Sequence, residues 1–461
     1  MVWMSAGAVV GALMLLFALL LLLATNGLTY FWPRPLVLLQ GQEPGSPAML
    51  GVIVGQDNGG GEYPDQLLLF RGSDENFQSP VLWIDEANLA SRSRPEQAVE
   101  VERDDQGSVF GFIESARVRG RDVVANELSL EEMRSLLRQV KTASDSGDAT
   151  SVQFRLANGR LTRFSLDGVV ALYLPNAMSV ADKLQHFFAS LWRFLSQEPR
   201  QSNLQGGVFP AIVGTVVLVV LMSLIVSPLG VLAALYLHEY AQENLVTRMV
   251  RIAVNNLAGV PSNVYGVFGL GFFVYAIGGS LDNIFFADRL PAPTLGTPGL
   301  LWAALTMALL TLPVVIVATE EGLARVPGAL REGALALGAT RAETVWKVVL
   351  PSAAPAVLTG LILAVARATG EVAPLILVGV AKYAPGLPVS LDFPFVHFDR
   401  QFMHLGFYIY DLGFQSPQIE TMQGMVYATA LLLVGIVLLL NLAAVGLRGR
   451  LREAFAVEES F

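Results

Sequence analysis

Six long apolar runs decide what this chain can fold into. They lie at Ala6–Ala24, Val208–Leu237, Ile252–Leu281, Gly299–Thr319, Ala354–Ala381 and Met422–Leu447. A run of about 18 or more such residues, coiled as a helix, matches the hydrocarbon thickness of a bilayer. Lipid offers no partner to a backbone amide, so each run must satisfy its own hydrogen bonds, and a helix does that. The expectation is an all-α membrane core of six transmembrane helices. Composition agrees, with 53% hydrophobic and 15% charged residues and a mean hydropathy of +0.53.

The first run has no Lys or Arg in Met1–Ser5 and no A-x-A-type site after it. It also exceeds the roughly 7–15 residues of a cleaved signal's apolar stretch, so it reads as an uncleaved anchor. Three domains follow: an anchor over 1–29, a polar region over 30–205 and a membrane domain over 206–461. Several functions are excluded. Cysteine is absent, which removes disulfides, thiolate catalysis and cysteine metal sites. Four scattered histidines argue against a histidine metal centre, and a net charge of −9 argues against nucleic acid. No G-x-x-x-x-G-K-[ST] occurs, so the chain has no ATP-binding loop of its own. Neither a cofactor nor catalysis is expected.

Positive charge in the short loops sets orientation. Arg248, Arg251, Arg325, Arg331, Arg341, Lys347, Arg448, Arg450 and Arg452 fall on one side, against Arg289, Lys382 and Arg400 on the other. Both termini are then cytoplasmic, and residues 30–205 lie outside, in the periplasm of a two-membrane bacterium. That outer region reads as an inserted α+β domain. Asn158-Gly159 sits inside Ser151–Leu166 as a tight hairpin turn. Leu68–Phe70 and Val81–Ile84 read as strands, and Ser129 with Glu132 as a capping box before a helix to about Lys141. Val180–Phe194 places Leu184, Phe187, Phe188, Leu191 and Phe194 on one helical face, which would lie along the membrane or feed the second span. Asp57–Tyr63 is Gly-rich and reads as a loop.

The least lipid-like part of the second half is Arg331–Pro351. Pro327 suits a first helical turn, and Gly338 is placed to end that helix. Thr340 with Glu343 starts a second helix, expected to run through Trp346 to Leu350 before Pro351 and to lead into the fifth span. On periodicity alone this is an ordinary connector. The residue pattern says more. Glu332-Gly333-Ala334, then Gly338, then Val348-Val349-Leu350-Pro351 resembles the EAA loop of ABC importer permeases, E-A-A-x3-G-x9-I-x-L-P. Gly333 and Val348 depart from it by small changes of bulk. The resemblance implies a type I ABC importer fold, with Glu332, Gly333, Ala334, Gly338, Leu350 and Pro351 coupling to an ATPase and Glu332 meeting a basic residue there.

It narrows further. His238-Glu239-Tyr240, Asn256-Leu257-Ala258-Gly259-Val260-Pro261-Ser262 with Val264-Tyr265-Gly266, and Ala366 to Pro374 are similar to the PstA-type permease subunits of bacterial phosphate importers. The likeness covers about Phe209 to Leu447 and leaves out the large outer region. It implies a PstC-like second permease, two copies of a PstB-like ATPase, and a PstS-like periplasmic phosphate-binding protein. The aromatic-rich loop Lys382–Glu420 and parts of the outer domain are candidate surfaces for that binding protein.

Arg367 and Glu371 are the only charges in the fifth run, near its midpoint and four residues apart. A charge at that depth costs at least about 2.5–3.5 kcal/mol on insertion scales, so it faces a polar cavity or a partner. One reading is an ion pair between helices. The other is that Arg367 offers its planar fork of donors to a crossing oxyanion, with Glu371 holding it otherwise. Asn255, Asn256, Ser262 and Asn263 put polar groups into the third run, either as interhelical hydrogen bonds or as lining of the path. Two rival functions stay open: an ABC permease for sulfate, molybdate or phosphonate, and a membrane receptor with an outer sensory domain.

Overall fold

The computed structural model describes residues 2–43, 46–57, 65–72, 79–104, 107–118, 121–124, 128–145, 151–165, 169–200, 203–416 and 419–458. Most of the Gly-rich Asp57–Tyr63 stretch lies outside them. The chain divides into two compact units: 1–207 with 412–428, and 208–411 with 429–461.

The first unit begins with α1 (Val2–Thr29), whose uncharged surface is exposed along nearly its whole length. Then come β1 (Val37–Gly41), β2 (Met49–Asp57), β3 (Gln66–Phe70), β4 (Val81–Asp85) and β5 (Leu89–Ser93). They form one antiparallel sheet in the order β4-β3-β2-β1-β5, with Leu68 opposite Trp83. A second sheet follows from β6 (Val99–Arg103), β7 (Gly107–Val118), β8 (Arg121–Val124), β9 (Ser151–Arg155), β10 (Leu161–Ser165) and β11 (Val169–Tyr173). Its order is β10-β9-β7-β6-β11, with β8 on β7. The Asn158-Gly159 turn joins β9 to β10 as the sequence indicates, and Gly159 takes φ +82°.

Helix α2 (Leu130–Asp145) starts at the Ser129/Glu132 box, where Ser129 N donates to Glu132 Oε2 at 2.8 Å. Its Met133, Leu136, Leu137 and Val140 pack on Val101, Ile113, Val152 and Phe154 of the second sheet. The sheets meet through Leu36, Leu50, Val52, Ala98 and Phe110. Helix α3 (Val180–Ser196) is followed by the short pair β12 (Pro199–Arg200) and β13 (Gln205–Gly206). Leu184, Phe187, Phe188, Leu191 and Phe194 do not share one environment on α3. Phe194 is buried and Phe187 half-buried, whereas Leu184 and Phe188 are exposed.

The second unit is helical. It comprises α4 (Phe209–Leu235), α5 (Leu245–Leu257), α6 (Ser262–Phe268), α7 (Gly279–Phe285), α8 (Leu300–Ala324), α9 (Gly328–Ala336), α10 (Arg341–Thr344), α11 (Leu350–Gly370), α12 (Leu375–Val378) and α13 (Leu405–Tyr410), with most of α14 (Ile419–Glu458). At the centre, α8 packs between α4 and α11. Leu218, Met222 and Val226 of α4 meet Ala304, Met307 and Val315 of α8 and Ala364 and Ala368 of α11. Small residues let these backbones approach, as helix pairs in lipid require. A Cβ on Gly230 would lie 2.6 Å from Val315, and one on Gly360 would lie 2.6 Å from Ala318.

Among the described residues, six helical stretches are long and apolar enough to cross a membrane: Met4–Thr29, Phe209–Tyr240, Ser262–Phe285, Leu300–Ala324, Arg341–Gly370 and Ile419–Arg450. Two differ from the sequence expectation. The third run does not form one helix from Ile252. It breaks after Leu257, where Gly259 N and Val260 N fold back on the carbonyls of Asn256 and Leu257, and restarts at Ser262. Pro261 has no amide to continue α5 and biases its predecessor away from helical geometry. Asn255 and Asn256 therefore lie on α5, outside that span. The fifth helix ends at Gly370 rather than Ala381, because Gly370 and Pro374 bracket Glu371, which is extended at φ −84°, ψ 124°.

Candidate functional site

Two places carry the sequence-predicted site residues, both within the helical unit. The first is the hairpin formed by α9 and α10. Its turn is a Schellman cap. Gly338 takes φ +90°, its N–H reaches Leu335 O at 3.0 Å, and Ala339 N–H reaches Ala334 O at 3.1 Å. Thr340 and Glu343 form the reciprocal box that opens α10, with Thr340 N donating to Glu343 Oε2 at 3.0 Å. The second helix does not stop before Pro351. Leu350 N–H bonds Val345 O, one residue wider than an α-turn, and the helix then runs through Pro351 into the span as α11. A wide turn just ahead of a proline absorbs the ring that would otherwise clash with the preceding turn.

The hairpin shows its apolar side outward. Leu337 is 91% exposed and Trp346 57%, with Leu330 and Leu335 also open. Glu332 and Gly333 are exposed beside them, Ala334 and Pro351 are half-buried, and Leu350 is half-buried against a core of Leu235, Leu323, Val326, Val345 and Val349. No Cβ placed on Gly333 would meet anything within 4 Å.

One further residue holds this surface in place, and in the sequence alone it is only a positive loop charge. Arg331 donates to Glu239 Oε1 at 2.9 and 3.2 Å, to Val326 O at 2.8 Å and to Leu323 O at 2.9 Å. The two side chains are 23% and 15% exposed. The guanidinium thus ties α9 to the end of the second span and to the end of α8. Arg251 adds a bond to Leu237 O at 2.8 Å. The available signal was Glu239 itself, a carboxylate closing an apolar run, with only the adjacent His238 beside it, 3.1 Å away through Nδ1.

The second place is the end of α11. Arg367 Nε lies 3.6 Å from Glu371 Oε1, and both side chains are partly buried at 34% and 24% exposure. They do not share a helical face, because Glu371 lies just past the last helical residue. The break beside them packs closely on α6, where a Cβ on Gly266 would come within 2.8 Å of Pro374. Tyr265 donates to Leu257 O at 2.7 Å across the α5–α6 turn and lies within electrostatic reach of Arg367. Ser262, half-buried, opens α6, and Asn256 is exposed at the end of α5. No described hydrogen bond joins either of them to the Arg367–Glu371 pair.

Residues 226–453 match the family described as binding-protein-dependent transport system inner membrane component. The phosphate transport system permease protein PstA of Mycobacterium leprae (strain TN) is 32% identical over 238 residues, covering 50% of this chain and 72% of that one. Its counterpart in Pasteurella multocida (strain Pm70) is 30% identical over 256 residues, covering 55% of this chain and 80% of that one. The chain belongs to the PstA-type permease family. Among solved structures, the permease is similar to an inward-facing MetNI methionine ABC transporter, at 20% identity and a TM-score of 0.37, covering 57% of this chain and 97% of that one. The family match begins at residue 226, so the first unit, but for 412–428, lies outside it.

Proposed function

We propose that the chain is the permease subunit of an ATP-driven phosphate importer, forming half of the translocation path and receiving force from a separate ATPase. What carries the proposal is the α9–α10 hairpin of a PstA-type permease, exposed on its apolar side and fixed to the spans by Arg331. A groove on an ATPase accepts Leu337 and its neighbours, Glu332 pairs with a basic residue there, and the Arg331–Glu239 bridge passes the motion to α4 and α8. The permease is a multi-pass membrane protein and a transport subunit rather than an enzyme. It works with an ATPase and a binding protein, which we assign as two PstB-like chains and a PstS-like phosphate-binding protein, beside a PstC-like second permease in the bacterial inner membrane. Both termini are assigned to the cytoplasm and residues 30–205 to the periplasm, with the 382–420 loop as a docking surface for the binding protein.

Within the path, Arg367 offers its donors to phosphate, and Glu371 holds the guanidinium between passages. A partly buried charge pair at a helix break is available in this way because no helical hydrogen bond need be lost when it opens. In membranes holding normal amounts of the complex, Arg367→Gln should reduce phosphate uptake at least tenfold. Uptake at the original rate would remove the residue from the path. Copies of the chain carrying an affinity tag should recover an ATPase, a second permease and a phosphate-binding protein, and recovery of none of them would contradict the assembly.

A further inference from the structure

The inward side of helix α3 carries polar groups beside the aromatic Phe187 and Phe194. Arg193 lies 3.4 Å from Glu102, His186 shares a hydrogen bond with Ser190 at 3.2 Å, and the His186 ring sits 4.4 Å from that of Tyr173. These side chains line a cavity of about 230 Å³ together with Glu100 and Arg200. Its outward side is apolar. Val180 is 71% exposed, Leu184 45%, Phe188 63% and Trp192 70%. Ala181, Gln185 and Ala189 fill the same exposed face, and beyond the capping Asp182 it bears no charge. A helix on a water-facing surface puts its charged residues outward, so water is not the solvent this face is built for.

The occupant follows from where α3 is anchored. Residues 30–32 come directly after the membrane-crossing α1. Phe31 packs edge-on against Phe187 at 6.0 Å and Phe194 at 5.2 Å, Tyr30 lies 6.4 Å from Phe194, and Trp32 lies 6.4 Å from Phe187. The helix is therefore fixed at the level where α1 leaves the hydrocarbon. Aromatic residues such as Trp32, Tyr30 and Trp192 concentrate at that level in membrane proteins. We propose that α3 is an interfacial helix, lying in the plane of the bilayer with Val180, Leu184, Phe188 and Trp192 inserted among the lipid chains. An amphipathic helix in that position sinks about 5–10 Å into the boundary between headgroups and acyl chains. The polar cavity behind it then sits on the water side, and the outer domain is held against the membrane by its own floor.

The absence of cysteine makes a direct test possible in the full-length chain. Single cysteines at Leu184→Cys and Phe188→Cys, spin-labelled in lipid nanodiscs, should collide with oxygen several-fold more, relative to a water-soluble nickel chelate, than a label at Arg160→Cys on the exposed hairpin of the second sheet. Accessibility to the nickel chelate equal to that of the Arg160→Cys label would overturn the proposal. So would shielding from both reagents, which would mean that protein covers the face. Trp192 gives a label-free check. Brominated lipids should quench a component of the emission that Trp192→Phe removes, and an unchanged quenchable component would count against insertion.

Discussion

The Arg331–Glu239 bridge is the joint on which the coupling surface depends, and a double-mutant cycle can weigh it. Arg331→Met leaves Glu239 charged and half-enclosed and strips the carbonyls of Val326 and Leu323 of a donor. Removing one partner of a buried pair costs about 3–5 kcal/mol. The residual exposure of 23% and 15% places this pair at the low end, about 3 kcal/mol. Glu239→Gln strands the guanidinium less severely, since two carbonyl bonds remain, and should cost about 1–2 kcal/mol. In the double variant no stranded charge is left, so its cost should fall short of the sum by about 1–2 kcal/mol. Thermal unfolding of the assembled complex in nanodiscs reads the stabilities. Phosphate moved per ATP hydrolysed, measured in proteoliposomes, reads the coupling. Arg331→Met should lower that ratio several-fold while ATP is still consumed. Strictly additive stabilities, or an unchanged ratio in Arg331→Met, would show that the bridge does not act as a unit.

Gly338→Ala forces a side chain into φ +90°, at a cost of about 1–2 kcal/mol, and should lower both the melting temperature and uptake. Gly333→Ala faces open space and a helical backbone, so it should add about 1 kcal/mol and leave uptake unchanged; a loss would mean that the bare glycine surface is itself part of the contact. Burial pushes the Glu100 carboxyl up from 4.5 to about 7, with the charge of Glu102 adding and hydrogen bonds from Tyr173 and Ser108 opposing. The folded state then holds a proton that the unfolded chain releases above pH 4.5, so stability is full below that pH and declines as pH rises through 7, by about 3 kcal/mol. Glu100→Gln should flatten that slope in a pH series of unfolding curves. The buried His404 has the opposite sign. Burial lowers it from 6.5 to about 4, so its contribution is present above pH 6.5 and is lost as pH falls toward 4.

Local chemistry was legible wherever one residue type fixes one geometry. The Ser129/Glu132 and Thr340/Glu343 boxes, the Asn158-Gly159 turn and the Gly338 stop all form as their residues dictate. The six apolar runs each yield a spanning helix. What the chain concealed were interruptions and pairings. Hydropathy does not register a break when its residues are themselves apolar, so Ala258–Pro261 and the Gly370–Pro374 stretch read as continuous spans. The same breaks moved Asn256 out of its run and Glu371 off the helix. Arg331 and Glu239 are 92 residues apart, and no local pattern reports such a contact. Helix α3 was visible as amphipathic, but periodicity cannot say which residues meet the protein: Phe187 and Phe194 turn inward beside Arg193, while Leu184, Phe188 and Trp192 face out.

The most direct measurement is uptake of radiolabelled phosphate by proteoliposomes holding this chain with its ATPase, second permease and binding protein. Uptake should require ATP, be lost in Glu332→Lys, and persist in an excess of sulfate or molybdate. Displacement of phosphate by either anion, or uptake indifferent to ATP, would contradict the assignment.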